Sequence, residues 1–338
     1  MDLDNDTPFA ARLLWAQLAE DADVQATLVV KATFERAGDR GWVPVGGQVP
    51  IIDDRLDTPF GTFHGDGFVR KDGVDVCVLG TIRPQAPVRS QALALAIDGR
   101  TAQELIAFGD RRWVRAGGRL VPSSPEPFSE MPLGYSRAYG GATEHDYETM
   151  VWPDNPVGRG YYLSDAAAEN HLLPNIEAKA GPHVAEWTDQ PVAAGWGPYP
   201  CYWGIRAREG VEPPEKPRPG EFGKIKARLN NNAHPALILP ALRDDAEIRV
   251  RGMRKQELTF VLPRFAPEVE IQLGDTRRIE TTSTLDGVFL WTDIEHVTLT
   301  RRVQFTYPYN RGQVRRARLR DRAAGAASSG EASVKRGG

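Results

Sequence analysis

The chemistry-bearing side chains of this chain fall in a few places. Glu144-His145-Asp146 sets an imidazole between two carboxylates, the composition of a tuned general base. Adjacent residues in extended chain, however, point to opposite faces and do not converge on one substrate. Cys201 has His171 and His183 elsewhere in the chain as potential bases, but its neighbours Tyr202 and Trp203 suit a buried thiol better than a reactive one. His64, Asp66 and Asp72 lie in a glycine-rich acidic stretch, residues 57–73, that invites a calcium reading. The Asp-x-Asp-x-Asp-Gly spacing with a distal glutamate is missing there. Arg137 and Arg159 could clamp a phosphate or carboxylate in bidentate fashion. Alternatively they are buried and satisfied by loop carbonyls and a carboxylate such as Asp154. The G-x-S-x-G, G-x-x-x-x-G-K-[ST], H-E-x-x-H and C-x-x-C patterns do not occur. We therefore expect no catalysis, no cofactor and no metal.

The two arginines belong to the most unusual stretch of the chain, Met131 to Tyr162. It holds five tyrosines and one tryptophan yet shows neither helical nor strand periodicity. A loop of this length has a job or is disordered, and disordered segments are poor in aromatics. Its glycines at 140, 141, 158 and 160 suit positions of positive φ or close backbone approach. The expectation is an ordered loop in which Arg137 and Arg159 staple its own backbone. A second concentration of rings, at Trp196, Tyr199, Tyr202 and Trp203, suits a sugar platform or a protein-binding hot spot, and equally suits core packing.

The elements that must hold these loops read as strands. Val24 to Phe34 is rich in β-branched residues and reads as a central strand. Val74 to Ile82 and Gln91 to Ile97 follow, with Asp98-Gly99 as a turn signal. Leu105 to Val114 reads as a short strand pair about Gly109-Asp110. Ala166 to Leu172 suits a two-turn helix behind the N-caps Ser164 and Asp165. Strands are expected from Glu247 to Tyr307, including a hairpin of 247–252 with 257–262 and another turning at Leu285-Asp286-Gly287, packed as half a sandwich. The predicted fold is mainly β: two β-sandwich-like lobes joined by long Gly/Pro/aromatic-rich loops, with few short helices. The divisions are an N-terminal β lobe at 1–125, a loop region with a short helix at 126–223, a C-terminal β lobe at 224–310 and a disordered basic tail at 311–338.

Of the 338 residues, 41% are apolar, enough to build a core, and the 26 prolines and 33 glycines favour turns over long helices. The tail from 311 to 338 carries +6 against −3 for the whole, leaving −9 on the rest. An acidic body whose basic residues do not interleave with aromatics lacks a nucleic-acid footprint. No apolar run approaches a membrane span, and the acidic start MDLDNDTPF has no apolar leader, so a cytoplasmic protein is expected.

Several runs, taken in order, form a recognisable pattern. They are Thr7-Pro8-Phe9, Val30 to Phe34, Asp75-Val76 with Gly80, Gly109-Asp110-Arg111 with Trp113, Tyr135 to Gly141, Asn155 to Gly160, Leu173 to Glu177 and Gly195 to Pro198. The succession resembles the bacterial DUF2169 family, associated with type VI secretion. The resemblance implies an adaptor or chaperone that binds an effector toxin in the cytoplasm and promotes its loading onto the VgrG or PAAR tip of the spike, without catalysis. Where that family often has an acidic Asp-Gln pair after Asn-Ala, this chain has His234-Pro235-Ala236 after Asn232-Ala233. The partner-binding or loop-organising candidates are Arg137, Tyr139, Asn155, Arg159, Tyr161, Trp196, Tyr202 and Trp203. The rival functions are a carbohydrate-binding module on the Trp196 to Trp203 cluster and a cell-wall hydrolase using Glu144, His145, Asp146 or Asp154.

Overall fold

The β-branched run that begins at Val24 forms a strand, Val24–Arg36, that is buried along nearly its whole length. A computed structural model places it and describes residues 2–17, 23–38, 41–53, 55–58, 61–145, 147–200, 202–216, 224–274, 278–307 and 314–320. The strand lies inside a seven-stranded sheet, flanked by Ala10–Gln17 and His296–Tyr307, both antiparallel to it. Beyond His296–Tyr307 come Thr284–Trp291, Val74–Leu79 and the short Ile238–Leu239, while Trp42–Pro44 pairs with the end of Val24–Arg36. Thr284–Trp291 runs parallel to Val74–Leu79. All six residues of Val74–Leu79 are buried. Both of its faces are covered, so no polar face shows in its sequence.

A second sheet has the order Ile176–Ala178, Arg100–Phe108, Ser90–Ile97, Glu247–Arg251, Leu258–Val261. Asp98 (φ 47°) and Gly99 (φ 77°) make the expected turn between its two longest strands. A third sheet joins Asp2–Asn5, Val314–Arg320, Glu268–Leu273 and Arg278–Thr282. One apolar cluster unites all three, from Leu28 and Val76 through Leu95 and Ile248 to Ile271 and Leu319.

The mainly β class with few short helices is as expected. Among the described residues the α-helices are Asp165–Ala168 and Gly204–Gly210. Ser164 caps the first, its Oγ accepting from the Ala167 N–H at 3.1 Å.

The lobes, however, are not consecutive in sequence. Strands from both expected lobes pair within the central sheet, and Ser90–Ile97 takes Glu247–Arg251 as a neighbour in the second. Alternation identifies a strand and its faces but not its partner, so sequence order suggested lobes where the sheets interleave. Three local expectations are corrected as well. Gly109-Asp110 is a connector, and Trp113–Ala116 pairs instead with Arg119–Pro122. A Cβ on Gly109 would lie 1.7 Å from the Glu126 carbonyl, so this glycine marks a close approach rather than a hairpin. Leu285-Asp286-Gly287 lies inside the strand Thr284–Trp291 at a bulge, because Asp286 is buried against Arg302 instead of turning in solvent. Finally, the tail from 311 contains a strand, Val314–Arg320, in which Ala317 and Leu319 are buried. Its high charge masked a strand whose arginines at 316 and 318 pair with Asp4 and Asp6.

Candidate functional site: a stapled loop and its exposed hairpin

The two glycine-rich runs of the long loop pair with each other. Tyr139 and Gly140 form a short parallel ladder with Arg159 and Gly160. The Arg159 N–H donates to the Ala138 carbonyl at 3.0 Å and the Tyr161 N–H to the Gly140 carbonyl at 3.1 Å. Asn155 lies fully buried at the centre. Its side-chain amide donates to the carbonyls of Tyr135 at 2.8 Å and Tyr139 at 2.9 Å. Two glycines are required by this geometry. Gly140 has φ 142°, with the Asn155 carbonyl 2.2 Å from where a Cβ would sit, and Gly160 has φ 99° with Pro174 at 2.7 Å.

Both arginines point to one carboxylate. Arg137 reaches Asp110 at 3.5 Å and Arg159 reaches it at 3.8 Å. Asn175 donates to the same Asp110 oxygen at 2.9 Å, and its Oδ1 accepts from Arg137 at 3.3 Å. Arg159 Nε also donates to the Ser136 carbonyl at 3.1 Å. Burial and the neighbouring Arg137 weigh against the Arg159 charge, and Asp110 favours it; the net effect lowers its pKa from the usual guanidinium range. Asp154 takes no part in this cluster, since it forms a bidentate pair with Arg208. Next to the cluster Arg111 donates to Glu177 and to the Pro174 carbonyl, the latter at 2.7 Å. The backbone staple expected for Arg159 is present at Ser136, while the partner of both arginines is Asp110. Arg159→Ala should therefore lower stability by about 1 kcal/mol in chemical denaturation, the usual loss for one charged donor to a part-buried acceptor.

The second aromatic concentration packs onto the first. Tyr135 stacks on Tyr199 at 4.3 Å between ring centres, and both meet Trp203 edge-on. Gly195 lets the Tyr135 ring close against its backbone, where a Cβ would be 2.7 Å from the ring. Trp196, Tyr199 and Trp203 are at most 3% exposed, so they are core, and only Tyr202 of that group faces solvent, at 65%. These buried rings cannot form a sugar platform. The runs at 109–111, 135–141, 155–160, 173–177 and 195–198 thus converge on one place. The family model for DUF2169, described as an uncharacterized protein conserved in bacteria, matches residues 21–302.

The chain belongs to the DUF2169 family. No curated protein and no solved structure gives a significant match. In this DUF2169 chain a second set of residues, not foreseen from sequence, secures the loop region to the central sheet. Lys31 pairs with Asp66, Lys71 with Asp75 at 2.5 Å, and Arg302 with Asp286, every one of these side chains being nearly or fully buried. Arg302 also donates to the carbonyls of Asp66 and Phe68. Residues 65–71 form no strand, so their carbonyls need side-chain donors: Arg302 serves Asp66 and Phe68, Asn232 serves Gly65, Thr27 serves Val69 and Asn230 serves Arg70. Asp75 accepts from Asn231 Nδ2 at 3.0 Å and from the Asn232 N–H at 2.8 Å. Arg206 connects this network to the rings, donating to the carbonyl of Tyr199 at 2.8 Å and to Asn232 Oδ1 at 3.1 Å. A signal was available in the sequence: Lys31, Asp75 and Asp286 each interrupt an otherwise mostly apolar strand.

Asp66 is committed to Lys31 and to the Ile52 N–H, at 2.7 Å to the latter. Among the described residues no group of three or more His, Cys, Asp or Glu is placed to hold a metal. Cys201 and Asp146 lie outside the described residues. Glu144 accepts from Thr149 at 2.7 Å on a two-stranded hairpin, Ala142–His145 with Glu148–Val151, that grows out of the stapled loop. His234 caps the turn Pro235–Leu237, its Nδ1 accepting from the Ala236 N–H.

Of the candidate residues, Tyr139, Asn155, Tyr161, Trp196 and Trp203 are buried, and Arg137 and Arg159 are partly buried around Asp110. They organise the loop. What the loop presents is different: Tyr147 is fully exposed at the hairpin turn with φ 68°, and Met150, Val151 and Val157 are 40%, 45% and 56% exposed. Tyr202 leads into the helix Gly204–Gly210, whose first N–H donates to the Pro153 carbonyl at 2.8 Å, just past the hairpin. No described helix is long and apolar enough to cross a membrane.

Proposed function

We propose that this DUF2169 chain is a non-enzymatic type VI secretion adaptor that binds a cognate effector toxin and promotes its loading onto the VgrG or PAAR spike protein. The observation that carries the reading is the division of labour in the loop. Its buried Asn155 and the two partly buried arginines that meet at Asp110 hold its base, and the hairpin on that base exposes Tyr147, Met150 and Val151, which have no core of their own to enter. Exposed aromatic and methionine side chains on a fixed support suit a protein interface, because little conformational entropy is lost when they dock. The secretion setting rests on the resemblance of the loop runs to those of secretion-associated members of the family. Tyr202 and Val157 are exposed as well. Cytoplasmic assembly before secretion follows from this role. Co-expression with an effector toxin and a VgrG or PAAR spike protein from the same genome should yield a complex that co-purifies. Purified protein that captures neither of them overturns the adaptor reading.

A further inference from the structure

The open edges of the sheets are not treated alike. At the edge strand Leu258–Val261 the carbonyls of Thr259 and Val261 are taken by Arg36 at 2.8 Å and Trp42 at 2.6 Å. The edges at Ile176–Ala178 and Ile238–Leu239 are only three and two residues long, and the five-residue Arg278–Thr282 includes Arg278 and Glu280. The eight-residue strand Ala10–Gln17 differs. It pairs with Val24–Lys31 on one side, and no backbone group of it bonds to any other described segment. Its sequence, AARLLWAQ, holds one charge, and that charge, Arg12, is paired with Asp53. A long apolar edge without lysine or proline and, among the described residues, without a loop hydrogen-bonded along it is a template for another strand.

We propose that Ala10–Gln17 pairs antiparallel with the same strand of a second copy, about a two-fold axis at Leu14. The strand is self-complementary in that register. Phe9, Ala11, Leu13 and Trp15 share the core-facing side; Phe9 is buried, Ala11 and Leu13 pack on the core, and Trp15 is left 62% exposed where the core ends. With Leu14 facing its own copy, Trp15 of each chain lies opposite Leu13 of the other, so each indole covers the apolar side chain that continues the neighbour's core. Residues directly opposite in an antiparallel pair are about 4.5–5.5 Å apart at Cα, close enough for aromatic–aliphatic contact. Arg12 then faces Ala16, and the two guanidiniums stay apart. Centring on Arg12 would instead set them face to face, and centring on Leu13 would leave Trp15 against Ala11. A slip of one residue is excluded, since it turns the apolar face outward. The result is an isologous dimer with the central sheet running through both copies.

Sedimentation velocity on the full chain at micromolar concentrations is expected to show a reversible dimer. Trp15→Lys, which adds a charge at an already exposed position, is expected to weaken self-association about tenfold or more with an unchanged circular dichroism spectrum. Leu14→Cys in a Cys201→Ser background should cross-link into a covalent dimer on mild oxidation, because facing Cα atoms fall within disulfide range, whereas Ala16→Cys in that background should not. A monomer at all concentrations, a dimer indifferent to Trp15→Lys, cross-linking at Ala16 in place of Leu14, or occupation of the strand by a different protein while the chain stays monomeric each overturns the proposal.

Discussion

Replacing Lys71 with methionine is expected to cost about 3–5 kcal/mol of stability at neutral pH, the loss typical of breaking a buried ion pair on one side. Asp75, its partner, is fully buried, and the methionine stem fills much of the lysine volume while leaving the carboxylate without its cation. Burial alone pushes the Asp75 carboxyl up, yet the Lys71 ammonium and the donors from Asn232 and Asn231 hold it below the usual carboxylate range. The sign of the pH dependence follows. A carboxylate with a depressed folded-state pKa contributes stability above its unfolded value, and that contribution is lost as the pH falls through the folded one. Without Lys71 the carboxyl titrates at higher pH. The deficit of Lys71→Met should therefore shrink in mildly acidic buffer, where Asp75 takes up a proton and ceases to be an unpaired charge. Urea denaturation at neutral and mildly acidic pH measures both effects, and Lys71→Met with Asp75→Asn should regain a substantial part of the loss.

Asn155→Ala is expected to have a comparable effect by a different route. The alanine removes the donors to the Tyr135 and Tyr139 carbonyls; the Tyr135 carbonyl keeps the Ala138 N–H at 3.1 Å, while the Tyr139 carbonyl is left as an unpaired acceptor in a buried turn. At about 1–3 kcal/mol for the orphaned acceptor and about 1 kcal/mol for the other lost hydrogen bond, the expected loss is about 2–4 kcal/mol. Its reach is local. The Tyr139–Gly140 ladder with Arg159–Gly160 depends on that centre, and the hairpin Ala142–Val151 grows from the strand that the ladder fixes. Limited proteolysis should cut the variant between residues 131 and 162 well before the sheets unfold, with partner capture falling alongside. Equal resistance of variant and parent to the protease would show that Asn155 does not hold the loop.

How much of this could be read from the chain depends on which interaction dominates each segment. Val24–Arg36 was legible because β-branched residues fix its conformation and burial does not alter it. The loop runs were legible as places where glycine is indispensable, and Gly140 and Gly160 do adopt positive φ against close neighbours. Their partners were not, since nothing in the spacing says that Arg137 and Arg159 meet at Asp110, on a connector far back in the sequence. Asp154 looked equally suitable and was claimed by Arg208, whose helix Gly204–Gly210 had too many glycines and too few apolar repeats to be foreseen. Asp286-Gly287 read as a turn because those residue types turn in water; the pairing with Arg302 makes the same residues part of a buried strand. The rings at Trp196, Tyr199 and Trp203 left core and surface equally open, because aromatic content carries no sign of exposure. The exposed side chains that now bear the functional reading, Tyr147 and Met150, sat unremarked beside Glu144-His145-Asp146.

The most direct measurement is capture of the co-expressed effector or spike protein by Tyr147→Asp combined with Met150→Asp, with thermal unfolding recorded in parallel. Both side chains are exposed, so the melting temperature should hold, while two lost apolar anchors and two added charges should weaken binding about a hundredfold or more. Capture at the level of the parent chain, with both substitutions in place, would contradict a partner-binding role for the hairpin.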